Sequence, residues 1–343
     1  MKKWMVITCL VSCLAWVSGC GKSGSSADSS GSEGVDKADV IKVAMLPKLK
    51  GIAYFTSCYE GAQEAADELG NVELIYNGPT TGSADKQAQM IDKWRLQGVD
   101  VIAVSPSDAA VLSDSLQKAQ KAGITVISWD ADLEQADRSF FVNQASAQAI
   151  GAGMVDAIAK DLGDEQASGD VAIVSSTTTS ANQNEWMIHM KERLEAYPNL
   201  KLVATKYPGE DQNVAFQDSQ DLIKKFPNLK GLFGISSVSF PGAAEAVKQS
   251  GKTGEILVTG LSTPNDMKPY VKGGEVKSVV LWSTQDLGYL TIYTAEAIRT
   301  GKLKAGATEI SAGRLGTKKV EGDQVLLGDV LVFTKDNIDQ YDF

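Results

Sequence analysis

Histidine is almost missing: one residue in 343, His189, in the apolar-flanked stretch Met187-Ile188-His189-Met190 of an expected helix. A Ser–His–Asp or Cys–His set would have to be built on that single ring, whose ordinary use is as a core or helix-flank side chain. Cysteine is scarce too. Of four residues, Cys9 and Cys13 fall in an N-terminal apolar run, leaving Cys20 and Cys58. No Cys/His spacing suits zinc, and no Asp-x-Asp-x-Asp-Gly loop suits calcium. Asp130 and Asp132 are not expected to form a metal pair. Gly151-Ala152-Gly153 lacks a third glycine and a preceding strand, so it reads as small residues packing a helix on a sheet rather than a dinucleotide loop. No metal or cofactor is expected. Positive charge is in deficit, with Lys+Arg 33 against Asp+Glu 43 and a net charge of −10. With no basic stripe, nucleic acid is excluded as a partner. Beyond the N-terminal run there is no stretch of eighteen apolar residues, so no membrane-spanning helix is expected. The empty catalytic inventory points to binding rather than catalysis.

The N-terminus carries its own signal. Lys2 and Lys3 precede an apolar core at residues 4–17, too short to span a bilayer comfortably. Val17-Ser18-Gly19-Cys20 then ends a run of small residues in a cysteine, a pattern that resembles a lipobox. Residues 1–19 are therefore expected to be a lipoprotein signal peptide, and Cys20 the lipid-modified first residue of the mature chain. Residues 20–38 are rich in Ser and Gly and have little to bury, as a flexible tether requires. The mature chain would sit on the extracytoplasmic face of the cell membrane. One acyl chain anchors weakly, so more than one is expected. No internal disulfide is then available, and Cys58 reads as a small packed side chain.

The remaining length exceeds what one hydrophobic core usually organises, so two domains are expected. Short β-rich runs alternate with helical ones. Strands are expected at 40–46, 72–76, 99–104 and 124–129, separated by helices at 54–69, 84–96 and 109–122. After 139–142 the rhythm restarts. A helix at 146–162 leads into strands near 171–174, 200–205, 231–233 and 256–259, with helices between them. Repeated βαβ units require crossover helices and give parallel sheets. Two successive halves of one kind suggest two similar α/β lobes, and the strand-like tail at 323–334 suggests a late crossing between them.

Ligands of open parallel sheets sit beyond the carboxyl ends of the strands. The segments there are Pro47-Lys48, Ser105–Asp108, Asp130–Asp132, Ser175–Gln183, Ser236–Pro241, Ser262–Asn265 and Trp282–Gln285. They are polar with aromatics interleaved, a chemistry that suits a small hydroxylated molecule. Lys48 can donate to hydroxyl or carbonyl oxygens. Asp130, directly after Trp129, can accept two charge-assisted hydroxyl bonds.

From residue 41 to the end, these segments resemble the pentose/hexose-type (type I) periplasmic binding proteins of ABC importers, and within them the Lsr-type autoinducer-2 receptors. The segments that carry the likeness include Pro47-Lys48-Leu49, Tyr54-Phe55-Thr56-Ser57, Gly78-Pro79-Thr80, Trp129-Asp130-Ala131-Asp132, Asn143-Gln144, Gln183-Asn184-Glu185-Trp186, Ser262-Thr263-Pro264-Asn265, Leu281-Trp282 and Tyr341-Asp342-Phe343. Rhamnose-type and related sugar receptors share part of the pattern. The resemblance implies an α/β fold of two Rossmann-like lobes with parallel sheets and three crossovers, near Asn143, near Gln285 and within 312–325. An N-terminal lobe would comprise 39–143 plus 285–312, and a C-terminal lobe 144–284 plus 313–343. It also implies ligand contacts from Lys48, Asp130, Asn182, Gln183, Pro241 and Ala243, the last two mainly through backbone groups. Phe55 and Trp282 are expected as apolar walls. Asn182 departs from the family pattern, which has a carboxylate there. The implied function is that of a lipid-anchored receptor, expected to be monomeric, which passes autoinducer-2 to an ABC permease; a pentose or deoxyhexose such as ribose or rhamnose is the alternative ligand. Loss of Asp130 to alanine is expected to abolish binding and leave the melting temperature of the empty protein near wild type.

Overall fold

The computed structural model describes residues 40–343. The expected signal peptide, Cys20 and the tether lie outside the described residues. The N-terminal lobe opens with β1 (Ile41–Leu46), α1 (Ala53–Leu69), β2 (Val72–Tyr76), α2 (Ala84–Gln97), β3 (Val101–Val104), α3 (Ala109–Lys121), β4 (Thr125–Trp129) and β5 (Phe140–Asn143). The chain then passes to the C-terminal lobe through residues 144–146. That lobe is built from α4 (Ala147–Asp161), β6 (Gly169–Val174), α5 (Ala181–Leu194), β7 (Leu200–Lys206), α6 (Gln212–Lys225), β8 (Leu229–Gly234), α7 (Ser239–Gln249), β9 (Leu257–Gly260), α8 (Pro264–Gly273) and β10 (Ser278–Leu281).

At Trp282-Ser283 the chain returns. α9 (Thr284–Arg299) packs along α1, and β11 (Glu309–Ser311), β12 (Thr317–Glu321) and β13 (Gln324–Leu326) extend the first sheet. A last passage leads to β14 (Leu331–Thr334), antiparallel to β10 in the second lobe. The first sheet runs β11-β12-β13-β5-β4-β3-β1-β2, and the second runs β7-β6-β8-β9.

The third passage departs from expectation. Residues 313–326 were expected in the C-terminal lobe, but β13 pairs in parallel with β5 and β12 pairs with β13. The crossing therefore falls at 327–330. The reason is physical: β11 and β13 are three residues long, and Thr-Lys-Lys-Val-Glu is mostly exposed. Neither carries an apolar period long enough to announce a sheet strand.

Alternation within strands assigns each face of the first sheet. Val43, Met45, Val101 and Ala103 join the core beneath α1 and α9. Ala44, Leu46, Ile102 and Val104 face the opposite way into a core with Ile91, Trp94, Leu112 and Leu116 of α2 and α3. Burial on both faces explains why these strands read as unbroken apolar runs. Helices start where side chains cap them: Asp108 for α3, Ser146 for α4, Asp211 for α6 and Ser283 for α9. The close approach of α1 and α9 depends on glycine. A Cβ at Gly61 would lie 1.8 Å from the Gln285 carbonyl oxygen, and one at Gly288 1.7 Å from that of Cys58.

In the parallel runs β5-β4-β3-β1-β2 and β7-β6-β8-β9 the strand order reverses once, between β1 and β3 and between β6 and β8. The tips flanking those two reversals face each other across the cleft, where open α/β sheets hold ligands.

Candidate functional site

The N-terminal bank centres on Asp130. It follows β4 with φ +63°, a left-handed conformation that Asp and Asn tolerate better than most residues. That turn aims the carboxylate into the cleft. Tyr54 Oη, from the first turn of α1, donates to Oδ1 at 2.7 Å. Ser105 Oγ, at the tip of β3, donates to Oδ2 at 2.6 Å. Trp282 Nε1 in turn donates to Tyr54 Oη at 3.1 Å, fixing the ring. Burial first, and the Asp130 charge second, push the Tyr54 phenol far above its ordinary pKa. Lys48, past the end of β1, places its ammonium 3.8 Å from Asp130 Oδ2 with its side chain 6% exposed.

The C-terminal bank is presented by the tips of β6 and β8 and the start of α5. Lys48 Nζ crosses the cleft to donate to Asn182 Oδ1 at 3.0 Å and to Ser180 Oγ at 3.2 Å. Asn182 Nδ2 answers with a bond to the Asp130 carbonyl at 3.2 Å, which Gln144 Nε2 also reaches at 3.0 Å. Lys48, Asp130 and Asn182 thus clasp the two lobes directly. Gln183 Oε1 accepts from Ser175 Oγ, from Ser176 N and from Ser176 Oγ. With its oxygen saturated, the side-chain amide of Gln183 has its two N–H donors left to offer.

Between the banks lies a small cavity lined by Lys48, Tyr54, Phe55, Asp130, Asn182, Gln183, Trp186, Glu210 and Trp282, with Ile235, Ser236, Ser237 and Leu261 from the second lobe. Tyr54 meets Phe55 and Trp282 edge-on, with centroids 5.1 and 6.1 Å apart, giving a rigid aromatic wall beside the charged groups. The cavity therefore offers ammonium and amide donors, carboxylate acceptors and ring faces at once.

Of the residues singled out from sequence, Lys48, Phe55, Asp130, Asn182, Gln183 and Trp282 converge here. Pro241 and Ala243 do not line this cavity. Pro241 borders a neighbouring one, with Ile52, Gln212 and Asp266, and Ala243 is fully buried on α7. The second lobe uses the preceding loop, Ile235-Ser236-Ser237, instead. Tyr54, Ser105, Trp186 and Glu210 were not singled out as site residues. Ser105 stood at a strand tip already read as polar; Glu210 follows β7, whose tip drew no attention. His189 is a half-buried partner of Glu192 on α5 and does not line the cavity, and Cys58 is buried without a disulfide. Among the described residues no group of three or more His, Cys, Asp or Glu side chains is placed to hold a metal ion.

A profile described as periplasmic binding protein domain matches residues 43–303. The chain belongs to the periplasmic binding protein family. This binding protein is similar to a solved structure of LsrB from Clostridium saccharobutylicum in complex with AI-2, with a TM-score of 0.84 and 29% identity, covering 88% of this chain and all of that one. An ABC transporter solute-binding protein from Clostridium phytofermentas with bound L-rhamnose gives a TM-score of 0.83 at 26% identity, covering 89% and 98%. Among curated relatives, the D-allose-binding periplasmic protein of Escherichia coli is 24% identical over 268 residues, 76% of this chain and 85% of the relative. The α/β fold of two parallel-sheet lobes is that of the type I binding proteins, and the chain is a solute-binding protein rather than an enzyme.

Proposed function

We propose that this protein is the lipid-anchored substrate-binding component of an ABC importer, taking autoinducer-2 in the interlobe cavity and presenting it to the permease. The observation that carries this reading is the meeting of Lys48 and Asp130 from one lobe with Asn182 and Gln183 from the other in a single cavity. The likeness to LsrB over the whole described chain adds support. A ligand that bonds to both banks prefers the closed arrangement, so its differential affinity drives closure. The permease would recognise that closed shape, and lipid on Cys20 would hold the receptor beside it.

A plain pentose or deoxyhexose is the second reading. It is favoured by the amide at Asn182, which gives up a charge-assisted bond, and by relatives whose names specify ribose and allose. Calorimetric titration of the mature protein with autoinducer-2, L-rhamnose and D-ribose separates the two. We expect a saturable heat with autoinducer-2. Binding of a plain sugar alone would eliminate the autoinducer reading in favour of the second.

A further inference from the structure

We propose that Glu210 is a ligand-contacting residue, the carboxylate through which the C-terminal lobe accepts a hydroxyl of the bound molecule. The proposal rests on the interlobe cavity being the binding site, and goes beyond it by assigning a charged contact at a position that no sequence pattern indicated.

Three observations place the role on Glu210 and not on Asn182. First, Asn182 has little left to give. Its Oδ1 accepts from Lys48 Nζ, Ser180 Oγ and the Gln183 backbone N–H, and its Nδ2 is bound to the Asp130 carbonyl. It acts as a clasp between the lobes. Second, Glu210 lines the same cavity as Lys48 and Asp130 and lies beside Ser176 of the C-terminal lobe. An ionised carboxylate has about four lone-pair sites, so most of its acceptor capacity is unused. Third, the N-terminal lobe meets this C-terminal-lobe side chain. Burial pushes its carboxyl above the ordinary value, the Lys48 charge opposes that rise, and Cγ sits against Gly82 of the N-terminal lobe, where an added Cβ would lie 3.0 Å away. Glu210 therefore reaches its position only when the lobes are together, as a group that reads a ligand on closure must.

The second bank thus recovers at 210 the negative charge that the amide at 182 lacks. The cavity then holds two carboxylates against one ammonium. It suits a neutral molecule with several hydroxyl donors and disfavours an anionic one.

The test uses the mature protein with Glu210→Gln, Glu210→Ala and Glu210→Asp. Each is screened by thermal shift against autoinducer-2, L-rhamnose, D-ribose, D-allose and xylitol, and the compound that stabilises wild type is titrated calorimetrically. We expect Glu210→Gln to weaken binding by roughly tenfold, the difference between a charge-assisted and a neutral bond. Glu210→Ala should lose more, and Glu210→Asp should retain part of the affinity. Melting of each free variant near or above wild type verifies that the fold is intact. Dissociation constants of Glu210→Gln and Glu210→Ala both within twofold of wild type would overturn the proposal. Should a plain sugar be the stabilising compound, the autoinducer reading falls and the Glu210 proposal is judged on that sugar. A wild type that responds to none of these neutral compounds overturns both.

Discussion

Replacing Asp130 tests the cavity's internal wiring before any ligand is added. The carboxylate accepts from Tyr54 and Ser105 and faces the Lys48 ammonium, all within a buried network. Asparagine keeps the shape and tolerates φ +63°. It offers one oxygen where two were in use, so either Tyr54 or Ser105 loses its acceptor. Tyr54 cannot escape by reversing its role. Trp282 already donates to it, and its own hydrogen would still need a partner. One lost bond to a charged acceptor costs about 1.5–3 kcal/mol, and Lys48 loses its nearest counter-charge besides. A total near 3 kcal/mol lowers the melting temperature by roughly 5–10 °C. Asp130→Ala loses the same bonds and adds about 1 kcal/mol for a left-handed backbone that glycine adopts freely. Asp130→Gly should therefore melt above Asp130→Ala, with Asp130→Asn highest of the three. Scanning calorimetry of the free proteins measures this order. An Asp130→Asn protein melting within 1 °C of wild type, or an alanine variant above the glycine one, would refute the reasoning. The sequence-based expectation of an unchanged melting temperature for Asp130→Ala is revised accordingly.

Two further outcomes follow from the scaffold. Arg138, buried in the N-terminal lobe, pairs with Asp132 and with Asp323 at 2.9 Å, so Arg138→Met should cost about 3 kcal/mol by leaving two carboxylates unpaired. Burial pushes the Asp323 carboxyl up, but the ion pair with Arg138 and a bond from Gln135 outweigh it and hold the group below the usual carboxylate range. This contribution is therefore complete above the unfolded carboxylate value of about 4 and is lost as pH falls through the lower folded value. The gap in melting temperature between wild type and Arg138→Met should narrow below about pH 4, and a gap that widens there would contradict the pairing. Gly288→Ala forces a methyl into the Cys58 carbonyl, so α9 must move off α1. A loss of about 3 kcal/mol in urea unfolding is expected, and a neutral result would mean the helices are not that close.

Most of the site was legible because strand tips announce themselves. Lys48 follows an apolar run and a proline, and Asp130 follows a buried tryptophan, so a polar group at each end stood out. Pro241 and Ala243 were carried by resemblance. Here they lie on α7, where Ala243 packs inward and the loop before the helix meets the cavity. Glu210 escaped because β7 is an edge strand of half-buried residues, with a weak apolar signal and a tip that looked like an ordinary turn. Tyr54 sits on a helix, where periodicity marks a buried face without distinguishing core from cleft. The last crossing was misplaced because pairing partners far apart in sequence decide the fate of three-residue strands, and local pattern does not encode them.

The return of the chain to its first lobe also bears on how the protein is made. The sheet begun at Ile41 gains its remaining strands only at Leu326, and α1 meets its covering helix only after Thr284. The later-made lobe likewise waits for the closing strand at Leu331–Thr334. Neither half has all its strands and covering helices until the chain has passed residue 326. A chain stopped short of Thr284 would leave α1 without its covering helix and β10 without its antiparallel partner.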